Sequence, residues 1–290
     1  MWFLFALTFA FTSSLSVIVA KRVMRELDER FYLFVSGIFT IPFLLFIIIY
    51  FYQIPKVDNL FLVAVGGSII LNVIAALAAY RAIKITEVSL VAPLSAFNPV
   101  FTAIISFFIL KESLETRGII GILLICLGAY LLQMSKMRSG WLEPARQFFT
   151  NRGIQLSLLA YFIWAITPTL QKTAIFHTNP QVPPFVSLAG MIGTTAIFGL
   201  LSLKFSNPKL KLVKKFIPFF LIVGILGGIG QAAAFIAFSL TNLGFATAIF
   251  KLSMIITIIL GWFFFKEHGV RDKLLGSAVM LVGVLLLILK

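Results

Sequence analysis

Charge is scarce in this chain. Of its 290 residues, 12% are Asp, Glu, Lys or Arg, about half the share usual in a soluble domain. Ten residues are acidic, and none of them falls in the middle of a long apolar run. Cysteine occurs once, at Cys126 within an apolar run, so an internal disulfide is excluded and the residue reads as a small core side chain. The two histidines, His177 and His268, lie far apart in predicted loops, and no His, Cys or carboxylate cluster has metal-ligand spacing. No glycine loop precedes a lysine in the phosphate-cradling pattern, so an ATP-driven motor is not expected. No pair of aspartates offers a diphosphate site. The sequence therefore predicts no catalytic constellation, no metal, no cofactor and no enzyme.

What the chain has in abundance is apolar length. Hydrophobic residues make up 60% of it and the mean hydropathy is +1.07. A soluble domain of this size cannot hide that much apolar surface, so the bilayer is part of the solvent. A spanning helix needs about 20 apolar residues, so ten spans use about 200 and leave about 90 for ends and connections. Ten segments are read near 2–20, 31–52, 60–80, 87–109, 117–134, 153–172, 184–203, 216–238, 243–265 and 271–289. The runs are long and lack alternation, which argues against strands. The first has no positive residue ahead of it and its flanking Lys21 and Arg22 follow it, so it is expected to be an uncleaved span rather than a signal peptide.

The net charge of +14 sits almost entirely between these runs. That distribution speaks for membrane topology and against nucleic acid, which needs a basic face on a soluble domain. The odd-numbered connections hold four, two, four, five and three Lys or Arg, 18 in all, against Lys56, Lys111, Arg117 and Lys290 elsewhere outside the spans. The positive-inside rule then predicts that the odd connections face the cytoplasm and both termini lie outside. The longest gap, 135–152, carries Lys136, Arg138, Arg146 and Arg152 with Trp141 and Pro144, and reads as an amphipathic cytoplasmic linker between two sets of five helices.

The two sets repeat. Phe34-Val35-Ser36 recurs as Phe185-Val186-Ser187, and Lys21 as Lys172, each 151 residues later. Further on the offset is 155: Lys111-Glu112 matches Lys266-Glu267, Gly121 matches Gly276, and Gly128 matches Gly283. An odd number of helices per copy makes the second enter from the opposite face, an inverted repeat of the kind common in secondary transporters. The expected fold is an all-α integral membrane protein of ten transmembrane helices, two inverted five-helix repeats around a central cavity. Its parts are 1–134, the linker 135–152, and 153–290.

The stretch Ala79-Tyr80-Arg81-Ala82-Ile83-Lys84, then Ser89-Leu90-Val91-Ala92-Pro93-Leu94, Pro99-Val100-Phe101-Thr102 and Leu110-Lys111-Glu112, resembles the EamA family of the drug/metabolite transporter superfamily. The glycine-spaced helix from Gly118 to Leu132 and the second copy, Ala248 to Leu289, are similar too. The resemblance covers nearly the whole chain. It implies ten helices around a cavity, lined by helices one to four and six to nine, and alternating-access movement of amino acids or other small metabolites. Well-studied members often have cytoplasmic termini, which the charge count here contradicts.

Within the spans, Lys251 is the residue that most needs a reason. It lies about eight residues into the ninth run, roughly 12 Å deep at 1.5 Å per residue. A lysine there costs about 2.5–3.5 kcal/mol on insertion scales and needs a partner or a wet cavity. It reads as an anchor for a substrate carboxylate or phosphate, or as a lysine bound to backbone carbonyls or snorkelling. Lys172 ends its span and reaches the interface, and Lys111-Glu112 and Lys266-Glu267 sit at the outer and inner membrane edges as boundary residues or parts of a gate. Pro93 and Pro99 break the fourth helix and free the carbonyls of Ser89 and Ser95, beside Asn98; Pro168 frees that of Trp164. Such carbonyls either bind substrate or mark a packed kink. Asn72 and Gln231 are amides at depth that bind substrate or join helices, and Tyr80, Tyr161 and Trp164 wall a cavity or face lipid. No membrane carboxylate is placed to trade a proton for a cation.

The expected function is secondary transport of a small polar or amphipathic metabolite, amino-acid-like or another organic solute, with an anionic one accommodated by Lys251. The alternatives are a flippase for a lipid-linked sugar and a non-transporting membrane scaffold or sensor. The expected partners are a small-molecule substrate and the lipid bilayer, without nucleic acid, the chain acting as monomer or homodimer in a prokaryotic cytoplasmic membrane.

Overall fold

The computed structural model describes residues 1–98, 100–101, 116–132, 143–205, 210–241 and 243–288. Pro99, Lys111 and Glu112 lie outside that set, as do Lys136, Arg138 and Trp141 of the linker.

Apolar runs of this length must satisfy every backbone N–H and C=O within the segment, because hydrocarbon offers no partner. The described chain is accordingly helical. α1 spans Trp2–Val23, α2 Glu29–Phe51 and α3 Asn59–Ile85. Asp28 accepts from the Arg30 amide at 3.0 Å and Asp58 from the Phe61 amide at 2.9 Å, capping the orphan donors at the starts of α2 and α3. α4, Val88–Val91, runs into a 3-10 turn at Ala92–Ala96. α5 (Thr116–Leu131) and the short α6 (Glu143–Thr150) follow, then α7 (Arg152–Ile163) and α8 (Thr167–Phe176). The chain continues with α9 (Pro183–Phe205), α10 (Leu210–Leu240), α11 (Leu243–Phe250), α12 (Leu252–Phe265) and α13 (Val270–Ile288). Two-residue strands β1 (Lys56–Val57) and β2 (Thr178–Asn179) pair antiparallel, tying the α2–α3 connection to the α8–α9 connection.

Among the described residues seven segments are long and apolar enough to cross a membrane: α1, α2, α3, α7 with α8, α9, α10, and α11 with α12. Their outer faces expose Leu62, Val63, Leu203 and Phe263 by 60, 69, 76 and 70%, an apolar belt suited to lipid rather than water. The chain is a multi-pass membrane protein.

Three apolar runs are interrupted within their length. The fourth changes to 3-10 geometry at Ala92, where Pro93 cannot donate to the preceding turn. The sixth breaks between Ile163 and Thr167, and Pro168 takes the opening turn of α8, where a missing N–H costs nothing. The ninth breaks at Lys251, with neither proline nor glycine at the break. Conversely, α2 and α10 run straight through Pro42 and Pro218.

α1 lies along α10, α3 along α7 and α8, α2 between α9 and α10, and α12 against α1, α4 and the 3-10 turn. α5 and α13 form a pair of their own, pressed together at glycines. A Cβ on Gly128 would lie 2.6 Å from the Gly276 carbonyl oxygen, and one on Gly276 2.7 Å from that of Gly128. A Cβ on Gly283 would meet the Gly121 carbonyl at 2.6 Å. Backbone-to-backbone approach of this kind needs the absent side chain, and in lipid it supplies the packing that a hydrophobic driving force does not.

Gly128→Val is expected to destabilise the protein by about 1–3 kcal/mol or more through overpacking, read as an earlier thermal melt in detergent. Gly66→Ala, where nothing lies within 4 Å of the new methyl, leaves the melt unchanged or raises it.

Candidate functional site

A cavity of about 1210 Å³ opens between the helices, walled by residues of both halves of the chain. Its chemistry follows from the helix breaks, which turn polar groups inward where continuous helices would bury apolar ones. Lys251 stands at the α11–α12 break with 8% of its surface exposed. Its ammonium donates to Asn98 Oδ1 at 2.6 Å. Asn98 Nδ2 in turn donates to the Tyr161 carbonyl on α7. One turn of α7 further on, Trp164 Nε1 donates to Asn72 Oδ1 at 3.0 Å, and Asn72 Nδ2 donates to the Ser68 carbonyl on α3 at 2.8 Å. Two short polar relays thus cross the cavity wall, one from α12 to α7 and one from α7 to α3.

Lys251, Asn98, Asn72, Gln231, Trp164, Tyr80, Ser95 and Pro168 all line this one cavity. Pro93 does not line it and is buried in the 3-10 turn. Pro99 lies outside the described residues. Tyr80 stacks towards Tyr32, with ring centroids 5.7 Å apart. Lys172 does not line the cavity and donates to the Thr241 carbonyl just past the end of α10 at 2.8 Å.

The structure adds hydroxyls that the sequence reading passed over. Thr12, Ser13, Ser14 and Ser16 of α1 line the cavity with Thr40, Ser187, Thr194 and Thr195. The signal was available in the run Phe11-Thr12-Ser13-Ser14-Leu15-Ser16, unusually rich in hydroxyls for a span. Thr12 and Ser14 return their protons to carbonyls a turn back, at 2.8 and 2.7 Å, and Ser14 also reaches the Ser253 carbonyl at 3.0 Å. Ser16, Ser95 and Thr195 carry buried hydroxyls with no partner among the described residues, and all three belong to the cavity wall. A buried hydroxyl without a partner costs about 1–3 kcal/mol, so these three are poised for whatever fills the space.

At one end of the bundle the charges gather. Glu29, 6% exposed, holds Arg81 and Lys84 at 3.0 Å each, and Lys215 meets Glu26 at 2.7 Å. Glu267, also 6% exposed, bonds to Lys21 at 3.1 Å and to the Val88 and Ser89 amides at 3.0 Å. It is a buried junction, whereas its spacing beside Lys266 reads as a membrane boundary. Lys266 has φ 51° and ψ 40°, a left-handed turn that ends α12 and sends the chain back towards α4. Burial pushes the Glu267 carboxyl up, but the Ser89 hydroxyl and amide and the Lys21 ammonium outweigh it and hold it below 4.5. At the other end His177 Nδ1 and Asp58 Oδ2 lie 2.7 Å apart beside the strand pair. The Phe61 amide, first, and then His177 hold the Asp58 carboxyl below its ordinary range. Among the described residues no group of three or more His, Cys, Asp or Glu is placed to hold a metal.

Residues 1–134 and 151–289 match the EamA-like transporter family. A 114-residue stretch is 33% identical to the "Uncharacterized protein MJ1333.1" of Methanocaldococcus jannaschii, covering 39% of this chain and 83% of that one. A protein of known crystal structure is similar over 99% of this chain and 98% of its own, with a TM-score of 0.67 at 13% identity, a likeness of fold alone.

Replacing Asn72 by Leu strands the Trp164 N–H and is expected to cost about 1–3 kcal/mol. Adding Trp164→Phe removes the stranded donor, so the double variant should melt later than additivity predicts. Glu267 also gives a pH dependence. A carboxyl held lower in the folded state than in the unfolded one stabilises fully above its unfolded value. That contribution is lost as pH falls from about 4.5 towards the lowered value, so the acid-side fall in melting temperature of Glu267→Gln should be shallower than that of the native protein.

Proposed function

Because this chain belongs to the EamA-like transporter family, we propose that it is a secondary carrier whose cavity takes a small organic solute bearing an anionic group, held by Lys251. Members of the family are membrane transporters, so the bilayer and a small-molecule substrate are given. The anionic preference rests on one observation: a lysine with 8% of its surface exposed stands in the wall of the cavity, its ammonium held by the neutral amide of Asn98. A neutral partner positions the charge and leaves it uncompensated, so a carboxylate or phosphate entering the cavity gains the full attraction. The unpartnered hydroxyls of Ser16, Ser95 and Thr195 and the rings of Tyr80 and Trp164 would receive the rest of a polar or amphipathic solute.

The same reading includes two inverted five-helix repeats, 1–134 and 153–290, joined by 135–152 and rocking against each other around the cavity. Contacts that exchange under the repeat offsets support it. Gly121 against Gly283 and Gly128 against Gly276 swap when 155 is added to the first copy. Lys21 donates to the Thr86 carbonyl at 2.7 Å, and Lys172, 151 residues on, to the Thr241 carbonyl, 155 residues on, at 2.8 Å. The distribution of Lys and Arg puts the basic end of the bundle in the cytoplasm and both termini outside.

The test is flux into liposomes of a solute first identified by thermal shift. Lys251→Met keeps length and removes charge; flux is expected to fall about a hundredfold with melting temperature retained, as befits loss of a charge-assisted contact to the solute. Lys251→Arg should keep part of the activity. Native flux in folded Lys251→Met protein would remove the anchor from the mechanism.

A further inference from the structure

The cavity ends where the Glu267 junction begins. Its wall includes Ile83 on α3, Val17 on α1 and Ala92 in the 3-10 turn. The junction takes Thr86 three residues beyond Ile83, Lys21 four beyond Val17, and Val88, which opens α4 four residues before Ala92, each a rise of about 6 Å or less in a helix. Across this floor the bonds run between the two halves of the chain. Glu267, between α12 and α13, receives the Val88 and Ser89 amides at the start of α4 at 3.0 Å each, the Ser89 hydroxyl, and Lys21 at the end of α1. Lys21 also donates to the Thr86 carbonyl at the end of α3. Lys273 of α13 reaches back to Glu87, which caps α4, and to the Ser89 hydroxyl at 2.7 Å. The backbone is shaped to the same end: a Cβ on Gly261 would press on Glu267 Oε2 and Val88 Cγ2 at 3.0 Å each.

One carboxylate therefore closes both the orphan amides of a helix start and the buried ammonium of another helix, across the seam that rocking has to part. We propose that Glu267 is the gate residue of this end of the pathway: its bonds to α4 and α1 hold the end shut, and their release opens it. The proposal rests on the transport reading above and names its moving contact. A purely structural cap would stabilise the fold and leave access to the cavity unchanged. A gate sets the balance between the two open faces, because a ligand or bond shifts a two-state equilibrium only by its differential stability in the two states.

The experiment measures access directly and needs no substrate. In a Cys126→Ala background, Ala76→Cys places one thiol on the cavity wall. Membrane-impermeant maleimide is applied to each face of proteoliposomes of known orientation. Glu267→Gln should raise labelling from the Glu267 face about tenfold and lower it from the opposite face, since a single hydrogen bond to a charged group contributes enough to shift an equilibrium by that factor. Lys21→Met, which cuts the same junction from α1, should act in the same direction and decides the matter if Glu267→Gln does not fold. Lys266→Gly, which relieves the left-handed turn and keeps the carboxylate, should label as the background does. Folded Glu267→Gln and Lys21→Met proteins with unchanged labelling on both faces overturn the gate and leave the transport reading standing. A thiol that reacts from neither face in any variant, in protein that still carries solute, shows instead that the cavity is not the pathway.

Discussion

Hydrocarbon gives a polar group no partner, and the rest of this structure depends on that constraint. It makes the spans helical, since only a helix closes its own backbone bonds. It also decides where a helix can stop. The α4 region, the α7–α8 junction and the α11–α12 junction are all interrupted, and residues at each interruption line the same cavity. Irregular backbone is tolerated at membrane depth only where protein or water receives the freed groups, so the broken helices and the cavity are one feature seen twice. The amide pairs Lys251–Asn98 and Trp164–Asn72 are the same principle in side chains.

Much of this was legible in the residues. Length and composition pointed to membrane-spanning helices, of which seven are seen among the described residues where ten were expected, and polar side chains inside apolar runs pointed to Lys251, Asn98, Asn72 and Gln231, which all line the cavity. Prolines announced two of the three breaks. The break at Lys251 was not legible, since Phe250-Lys251-Leu252 has ordinary helix-forming residues and the interruption comes from tertiary contacts. Glu267 was read as a boundary or gating residue, but its bonds were hidden for a related reason: its partner Lys21 lies 246 residues away and its amide donors 178 or 179 residues away. Spacing along the chain placed it at a boundary, and only the fold reveals that the boundary is shared by five helices' ends. The hydroxyls of α1 were visible but carry little signal in a sequence, because Ser and Thr can return their protons to their own helix, as Thr12 and Ser14 do.

Pairing of the glycine faces shows how little chemistry some positions need. Gly121, Gly128, Gly276 and Gly283 act by lacking a side chain, and they let α5 and α13 press backbone to backbone while α13 also packs on α12, α4 and the 3-10 turn. The two ends of the bundle differ in chemistry: a carboxylate junction at one, and a strand pair with His177 and Asp58 at the other.

The volume of the cavity has a consequence for selectivity. At about 1210 Å³ it exceeds the range of about 300–1,000 Å³ in which proteins commonly enclose small ligands. A metabolite of modest size therefore shares the space with tens of water molecules. Those waters compete for Lys251 and for the open hydroxyls, dull discrimination between solutes of similar charge, and keep residence short. On the transport reading proposed above, such a chamber favours breadth over tight recognition, and competition among several chemically related solutes is its expected behaviour.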